Sequence, residues 1–309
     1  MVWYGAYRNM SFLAHWHDEI ELIRVRSGSA CIHIADQTYE AEKGDLILCC
    51  GGNIHYCDSY DRENLLEFIV FTPHLVTALS DLPDIRHPHI KNRQLEAAGL
   101  LELTEGLFRR VPEELRAKDS HYQEIVKSKL YEFWYTVKRA FPNETATSIV
   151  SHRQTMTQKF QQLLTFIDTH YQDPLYLEDA ARLLHFNASY FSRLFHQYTG
   201  MNFTAYLNTV RIEEAISRLY DSSDRIVDIA FECGFNSIRT FNRVFRQMTS
   251  CSPSAFCRQK GSVPPLLYTF RLRKGVNASV VENDSFVVIQ DGKVPAIEGG
   301  RRPSAGLHA

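Results

Sequence analysis

Four absences narrow the field. None of the seven cysteines (Cys31, Cys49, Cys50, Cys57, Cys233, Cys251 and Cys257) stands in a C-x-x-C pair. Their odd number and scattered spacing read as reduced thiols, with neither a disulfide framework nor a structural zinc site. No apolar run approaches the roughly 20 residues of a membrane-spanning helix. The N-terminus lacks the charged-then-apolar pattern of a signal peptide, so the expected location is the cytoplasm, with no membrane partner. Charge of one sign is also missing. Lys and Arg number 34 against 36 Asp and Glu, a formal net charge of -2. Any surface basic enough for nucleic acid must therefore be local. What remains is an ordinary globular composition, 44% hydrophobic and 23% charged, over 309 residues. That length is enough for two domains with a core each.

The chain contains one segment written twice. Asp179, Ala181, Phe186 and Asn187 return as Asp228, Ala230, Phe235 and Asn236, 49 positions on. One residue then enters the second copy. Phe191, Arg193, Phe195, Gln197 and Thr199 return 50 positions on as Phe241, Arg243, Phe245, Gln247 and Thr249. Two copies are too few for a solenoid and suit a unit used in tandem. In each, a short helix with inward residues (small Ala180 and Ala181 in the first; Ile226, Ile229 and Ala230 in the second) precedes a tight turn and a second amphipathic helix. That is the helix-turn-helix form. The turns are His185-Phe186-Asn187 and Cys233-Gly234-Phe235, where Gly234 can take a positive φ without steric cost. Between the units, Phe203–Tyr220 reads as one long helix burying Leu207, Val210, Ile212, Ala215, Ile216 and Leu219.

The first 73 residues read as β. Glu21–Val25, Ala30–Ala35, Gln37–Glu40, Asp45–Cys49 and Leu65–Phe71 are short, apolar and separated by turn signals such as Ser27-Gly28 and Lys43-Gly44-Asp45. Here His15-x-His17-x3-Glu21-x6-Gly28 is followed by Gly44-Asp45-x9-His55. His15 and His17 share parity, and a bend at Asp18-Glu19 brings Glu21 to the same place. The pair of motifs resembles those of the cupin superfamily, a small antiparallel β-barrel around a central pocket. The resemblance makes His15, His17, Glu21 and His55 the pocket groups. They either fix a polar organic effector, ligate a divalent metal, or bond to one another inside the barrel. The effector reading is the one carried forward, with no resident cofactor.

From residue 74 the period changes from 2 to 3.6. Arg93–Arg109 and Ser120–Phe141 read as amphipathic helices, the second either a homodimer seam or a cover for the barrel. Residues 142–157 read as a linker or a poorly packed helix start. In the tail, 261–309, Leu266–Arg273 and Ser285–Gln290 read as short strands and Gly299–Ala309 as disordered.

Arg211-Ile212-x-x-Ala215, Ile226-x-x-Ile229-Ala230, Gly234-Phe235-Asn236, Phe241-x-Arg243-x-Phe245 and Ser252-Pro253-x-x-Phe256 together carry a second resemblance. Residues 158–260 are similar to the DNA-binding domain of the AraC/XylS transcription regulators. Ser250 stands where the family has glycine. The resemblance implies two domains: an N-terminal antiparallel β-barrel sensor followed by helices, and a C-terminal all-α domain with two helix-turn-helix units. It implies an effector-responsive, DNA-binding homodimer, more often an activator than a repressor, that meets RNA polymerase and senses a small polar ligand such as a sugar. It does not imply an enzyme. The rival is a metal-dependent cupin enzyme fused to a DNA-binding domain, and a third reading is a regulator without effector whose barrel only dimerises. Removing the inward positions from each second helix leaves Ser189, Ser192 and Arg193 on the first. Arg239, Thr240, Asn242, Arg243 and Arg246 remain on the second. Neither face carries an acid, so each suits the major groove.

Overall fold

A computed structural model describes residues 1–58, 62–76, 88–142, 149–221, 224–249, 251–258 and 279–287. Among the described residues the sensor region is built from nine strands: β1 (Val2–Arg8), β2 (Phe12–His15), β3 (Ile20–Ile34), β4 (Gln37–Glu42), β5 (Leu46–Cys49), β6 (His55–Cys57), β7 (Asn64–Phe71), β8 (His89–Ile90) and β9 (Ser279–Val287). All their pairings are antiparallel.

The organising strand is β3. The sequence divides it at Ser27-Gly28, but the structure runs it unbroken through that point. A register shift falls between Val25 and Ser27, and Gly28 takes φ +73°. A Cβ there would lie 1.8 Å from the carbonyl oxygen of Glu63, so only glycine lets the neighbouring chain come this close. The turn signal is thus a bend within a strand. It lets the first half of β3 pair with β5 and β7 and the second half with β4 and β6. The strand path runs β2-β6-β3-β7-β1-β9 and stays open, since no pairing joins β2 to β9 among the described residues. The cupin-like antiparallel architecture is therefore present, but the closed barrel is corrected to two open layers sealed by side chains.

Between the layers lies a core that includes Ile23, Val25, Ile32, Ile47, Leu66 and Phe68. The opposite face of β7 presents Ile69 and Phe71 to a second core shared with helices. Those helices are α1 (Asn92–Ala97), α2 (Leu101–Ala117) and α3 (Tyr122–Ala140). The single helix expected over Arg93–Arg109 is two, interrupted at 98–100. On α3, Val126, Leu130, Phe133, Trp134 and Val137 recur at helical spacing and are all buried against the sheet and α2. The stripe covers the sheet. Tyr131 and Tyr135 point outward. Buried Glu67 of β7 ties the layers to α2: it accepts from Tyr4 Oη at 3.0 Å and Arg24 Nε at 2.7 Å, and the Arg24 guanidinium stands 4.6 Å over the Phe108 ring.

The helical domain comprises α4 (Ile149–His170), α5 (Leu177–Leu183), α6 (Ala188–Thr199), α7 (Phe203–Asp221), α8 (Ile226–Glu232), α9 (Ile238–Thr249) and α10 (Pro253–Arg258). Helix α4 begins inside the expected linker. The first half of α7 gives Tyr206, Leu207 and Val210 to one core with α4, α5 and α6. Its second half gives Ile212, Ala215, Ile216 and Leu219 to another with α8, α9 and α10. In the tail, the strand expected at Ser285–Gln290 is displaced: β9 spans Ser279–Val287 and pairs along β1. Leu266–Arg273, Gly299–Ala309 and Ser250 lie outside the described residues.

Candidate functional site

The candidate sensor site forms where β2 ends. His15 is the last residue of β2 and stands directly across from His55 of β6. The chain then bends at Asp18-Glu19, as the sequence indicates, carrying His17 and then Glu21 of β3 to the same point. One donor atom from each of His15, His17, Glu21 and His55 lies within 4.8 Å of all the others. His17, Glu21 and His55 are buried and His15 is half-buried.

Each imidazole is oriented by a main-chain carbonyl. Nδ1–H donates to Leu13 O from His15 at 2.8 Å, to Glu19 O from His17 at 3.2 Å, and to Asn53 O from His55 at 2.8 Å. A carbonyl only accepts, so the proton sits on Nδ1 and Nε2 faces inward. Glu21 Oε2 meets Nε2 of His17 at 3.0 Å and Nε2 of His55 at 3.2 Å. Burial works against the Glu21 carboxylate, but His55 and His17 outweigh it and hold its pKa well below the usual range. Burial and the neighbouring His55 and His17 push His15 well down, towards the neutral form. For His17, burial is outweighed by the bond to Glu21, and its pKa is raised.

The candidate reading surface lies on α6 and α9. Ser189, Arg193, Arg239, Asn242, Arg243 and Arg246 are exposed, while Ser192 and Thr240 are half-buried. Beneath them Phe191, Phe195 and Tyr198, and Phe241, Val244 and Phe245, are buried. Asn187 caps α6, accepting from Tyr190 N at 2.9 Å. The two reading helices are equal in length and 50 positions apart; α5 and α8 are 49 apart. The extra residue is therefore confined to the lead-in, 184–187 in the first unit and 233–237 in the second. Both helices end on the same device. Thr199 donates to Phe195 O at 2.7 Å, and Thr249 donates to Phe245 O at 2.8 Å. Gly234 has φ +82°, as its turn requires.

Two family models match the chain: an AraC-like ligand binding domain over residues 4–134 and a helix-turn-helix domain over residues 180–259. The chain belongs to the AraC family. It is a transcription regulator with a ligand-binding and a DNA-binding domain. Among its relatives is the transcriptional activator RhaS of Pectobacterium carotovorum, 26% identical over 81% of this chain and 88% of that protein. The regulatory protein PocR of Salmonella typhimurium is 38% identical, over 35% of this chain and 37% of its own length. Among solved structures, ToxT from Vibrio cholerae with bound unsaturated fatty acid aligns over 85% of this chain and 96% of its own, at 15% identity and a TM-score of 0.41.

The junction between the domains of this AraC-family chain carries no motif in the sequence. Leu13, Ala14, Ile54 and Tyr56 share one core with Phe160, Leu163, Phe195 and Tyr198. Tyr206 Oη of α7 donates to Ala14 O at 2.8 Å, and Gln161 of α4 donates to Gly52 O. A cleft of about 30 Å³ remains there, lined in part by Leu13, Tyr56, Gly200 and Thr209. That is room for a water, not for an organic effector. The only hint in the sequence was the apolar character of Leu13, Ile54 and Tyr56. Asp45, part of the cupin-like motif, also proves structural. It accepts from Asn92 N at 2.8 Å and contacts His89 Nε2 at 2.7 Å, pinning the β4–β5 turn to α1 and β8.

Proposed function

We propose that this chain is an effector-responsive, sequence-specific DNA-binding regulator, rather than an enzyme, that acts in the cytoplasm. Its α6 and α9 enter successive major grooves. The carrying observation is the pair of acid-free exposed faces with Arg193 and Arg243 at matching positions. An exposed guanidinium on a recognition helix can pair bidentately with guanine, and Asn242 with adenine. Helix α7, 19 residues long, spans roughly 28 Å at about 1.5 Å per residue. That is comparable to the roughly 34 Å between successive grooves. Ser192, Arg193, Asn242 and Arg243 are assigned to bases; Ser189, Arg239, Thr240 and Arg246 are assigned to the backbone or to flanking bases.

The sensor ligand is assigned to His15, His17, Glu21 and His55. A sugar or other small polar molecule, hydrogen-bonded by the same four groups, is the reading that the family resemblance favours. The active form is proposed to be a homodimer, with the outer face of α3 as its seam, and to contact RNA polymerase as an activator. The name of RhaS supports activation.

The test is binding of the full chain to the DNA upstream of its own gene. Arg193→Ala and Arg243→Ala should each lose about 1–3 kcal/mol of discrimination at one or two base positions. Wild-type affinity and wild-type selectivity in both variants would remove these residues from the readout.

A further inference from the structure

We infer that β9 is a guard strand. Seated on β1 in cis, it keeps that edge of the sensor sheet from pairing with β1 of a second copy of this chain.

The edge itself comes first. Val2–Tyr7 reads V-W-Y-G-A-Y, without charge or proline and rich in the residue types that favour strands. Val2, Tyr4, Ala6 and Tyr7 are buried. One side of β1 is satisfied by β7, in unbroken antiparallel register from Val2 opposite Phe71 to Arg8 opposite Leu65. On the other side, among the described residues, only β9 lies along it. Without β9, that side would be a row of unpaired main-chain donors and acceptors, which is a template for another strand.

A second β1 fits the template. Two identical strands can pair antiparallel about a two-fold axis, each offering the same patch. The strand's one charge, Arg8, sits at its end. The antiparallel arrangement sends the two copies of Arg8 to opposite ends, so no like charges face each other. An uncharged six-residue run of high strand propensity is the pattern that drives association between strands.

The character of β9 is the opposite. Its centre is Glu282-Asn283-Asp284-Ser285, made of residue types that are scarce in strands. Its register against β1 shifts twice, between Val2 and Tyr4 and between Ala6 and Tyr7. Charge and irregular register are two of the devices by which a natural sheet edge discourages further pairing. β9 thus replaces a regular, uncharged edge with an irregular one that has two acids at its centre.

The attachment of β9 decides which strand occupies the edge. It lies beyond both regions matched by the family models, 4–134 and 180–259. Residues 259–278 join it to α10, which ends at Arg258. A connection of about 20 residues presents its strand at an effective concentration on the order of millimolar. A second copy at micromolar concentration therefore competes poorly. The two register shifts also make β9 the weaker of the two ladders on β1, so local changes in β9 can dislodge it.

The experiment uses the full chain carrying Tyr131→Ala and Tyr135→Ala, so that the α3 face proposed as the dimer seam takes no part. Association is read against this parent by sedimentation from about 1 to 100 µM, well below the effective concentration of the tethered strand. Glu282→Pro with Asn283→Pro should double the mass in a concentration-dependent way. The two positions are adjacent, so one of them removes an N–H directed at β1. In the associated form, hydrogen exchange should slow at Val2–Arg8, and an added synthetic peptide of residues 279–287 should restore the parent mass. Arg8→Cys with Ser279→Cys joins register partners. Its disulfide should form within one chain, mapped by mass spectrometry, and the oxidised protein should keep the parent mass at every concentration. If the proline variant does not fold, a protease site inserted after residue 262 allows the tail to be cut from the folded chain, with the same doubling expected. A folded variant or cut chain that keeps the parent mass would overturn the guard. So would association that leaves exchange at β1 unchanged, or that the peptide does not reverse. A disulfide formed between chains would overturn the seating in cis.

Discussion

Arg211 is the residue whose role changes most between sequence and structure. In the sequence it is one member of the motif that marks the DNA-binding domain, with no role of its own. In the structure it is buried. Its Nε donates to Tyr171 O at 2.7 Å and its Nη2 to Asp173 O at 2.8 Å. It lies on α7 between the two helical cores and pins the chain that leaves α4. Both acceptors are main-chain carbonyls, and removing the guanidinium leaves them short of a donor in a half-buried place. Arg211→Met keeps the stem but loses both bonds, and should cost about 2–4 kcal/mol in urea unfolding. Arg211→Lys should recover at most part of that, because a single ammonium lacks the fork that reaches two carbonyls. A loss below about 0.5 kcal/mol in Met would show that the clamp contributes little.

Among the elements, α3 separates two readings of one pattern. Its apolar stripe announces a buried face without saying what buries it. The structure assigns Leu130 and Trp134 to the core under the sheet, with the Phe71 and Trp134 rings 6.3 Å apart. Tyr131 and Tyr135 stay on the other side, 54% and 38% exposed, with ring centroids 4.7 Å apart. The two faces should respond differently. Leu130→Ala should destabilise the fold by about 2–5 kcal/mol. Tyr131→Ala with Tyr135→Ala should leave monomer unfolding nearly unchanged yet weaken the proposed dimer, read by sedimentation over a dilution series. A dimer that survives the double substitution unaltered places its seam elsewhere. The recognition helices give a similar lesson. The inserted residue seen at the entry of the second unit leaves α6 and α9 equal in length and changes only the approach to them.

For the molecule as a whole, the junction decides whether the two domains unfold as one. The core that begins at Leu13 and Tyr56 continues without a break into α4, α6 and α7. A Cβ on Gly200 would meet the Tyr56 ring at 2.8 Å. The chain also returns after the reading domain to add β9 to the sheet edge at β1. Calorimetry of the wild type should show one cooperative transition. Tyr56→Ala combined with Tyr206→Phe removes the packing and the bond to Ala14, and should split it into two. A single unchanged transition in that variant would mean that the domains are coupled by other contacts.

Much of this molecule is determined locally. Apolar residues at helical spacing dictate α3, α6, α7 and α9, and the repeated segment dictates two reading units, because a helix buries its own stripe wherever it is placed. Even the four groups of the candidate sensor site are legible as a set: strand parity and one bend join His15, His17 and Glu21, and the resemblance to the cupin motifs adds His55. What only the tertiary structure decided depends on distant partners. Ser27-Gly28 reads as a turn until β7 comes close enough to keep β3 running. The barrel that the cupin-like motifs imply stays open among the described residues, because closure depends on pairing between strands far apart in the chain. The contact between β2 and α7 spans 192 positions, and no local pattern encodes it. That contact joins the strand that carries His15 to the helical domain. Its existence follows from the packing of two cores against each other, not from any motif in either.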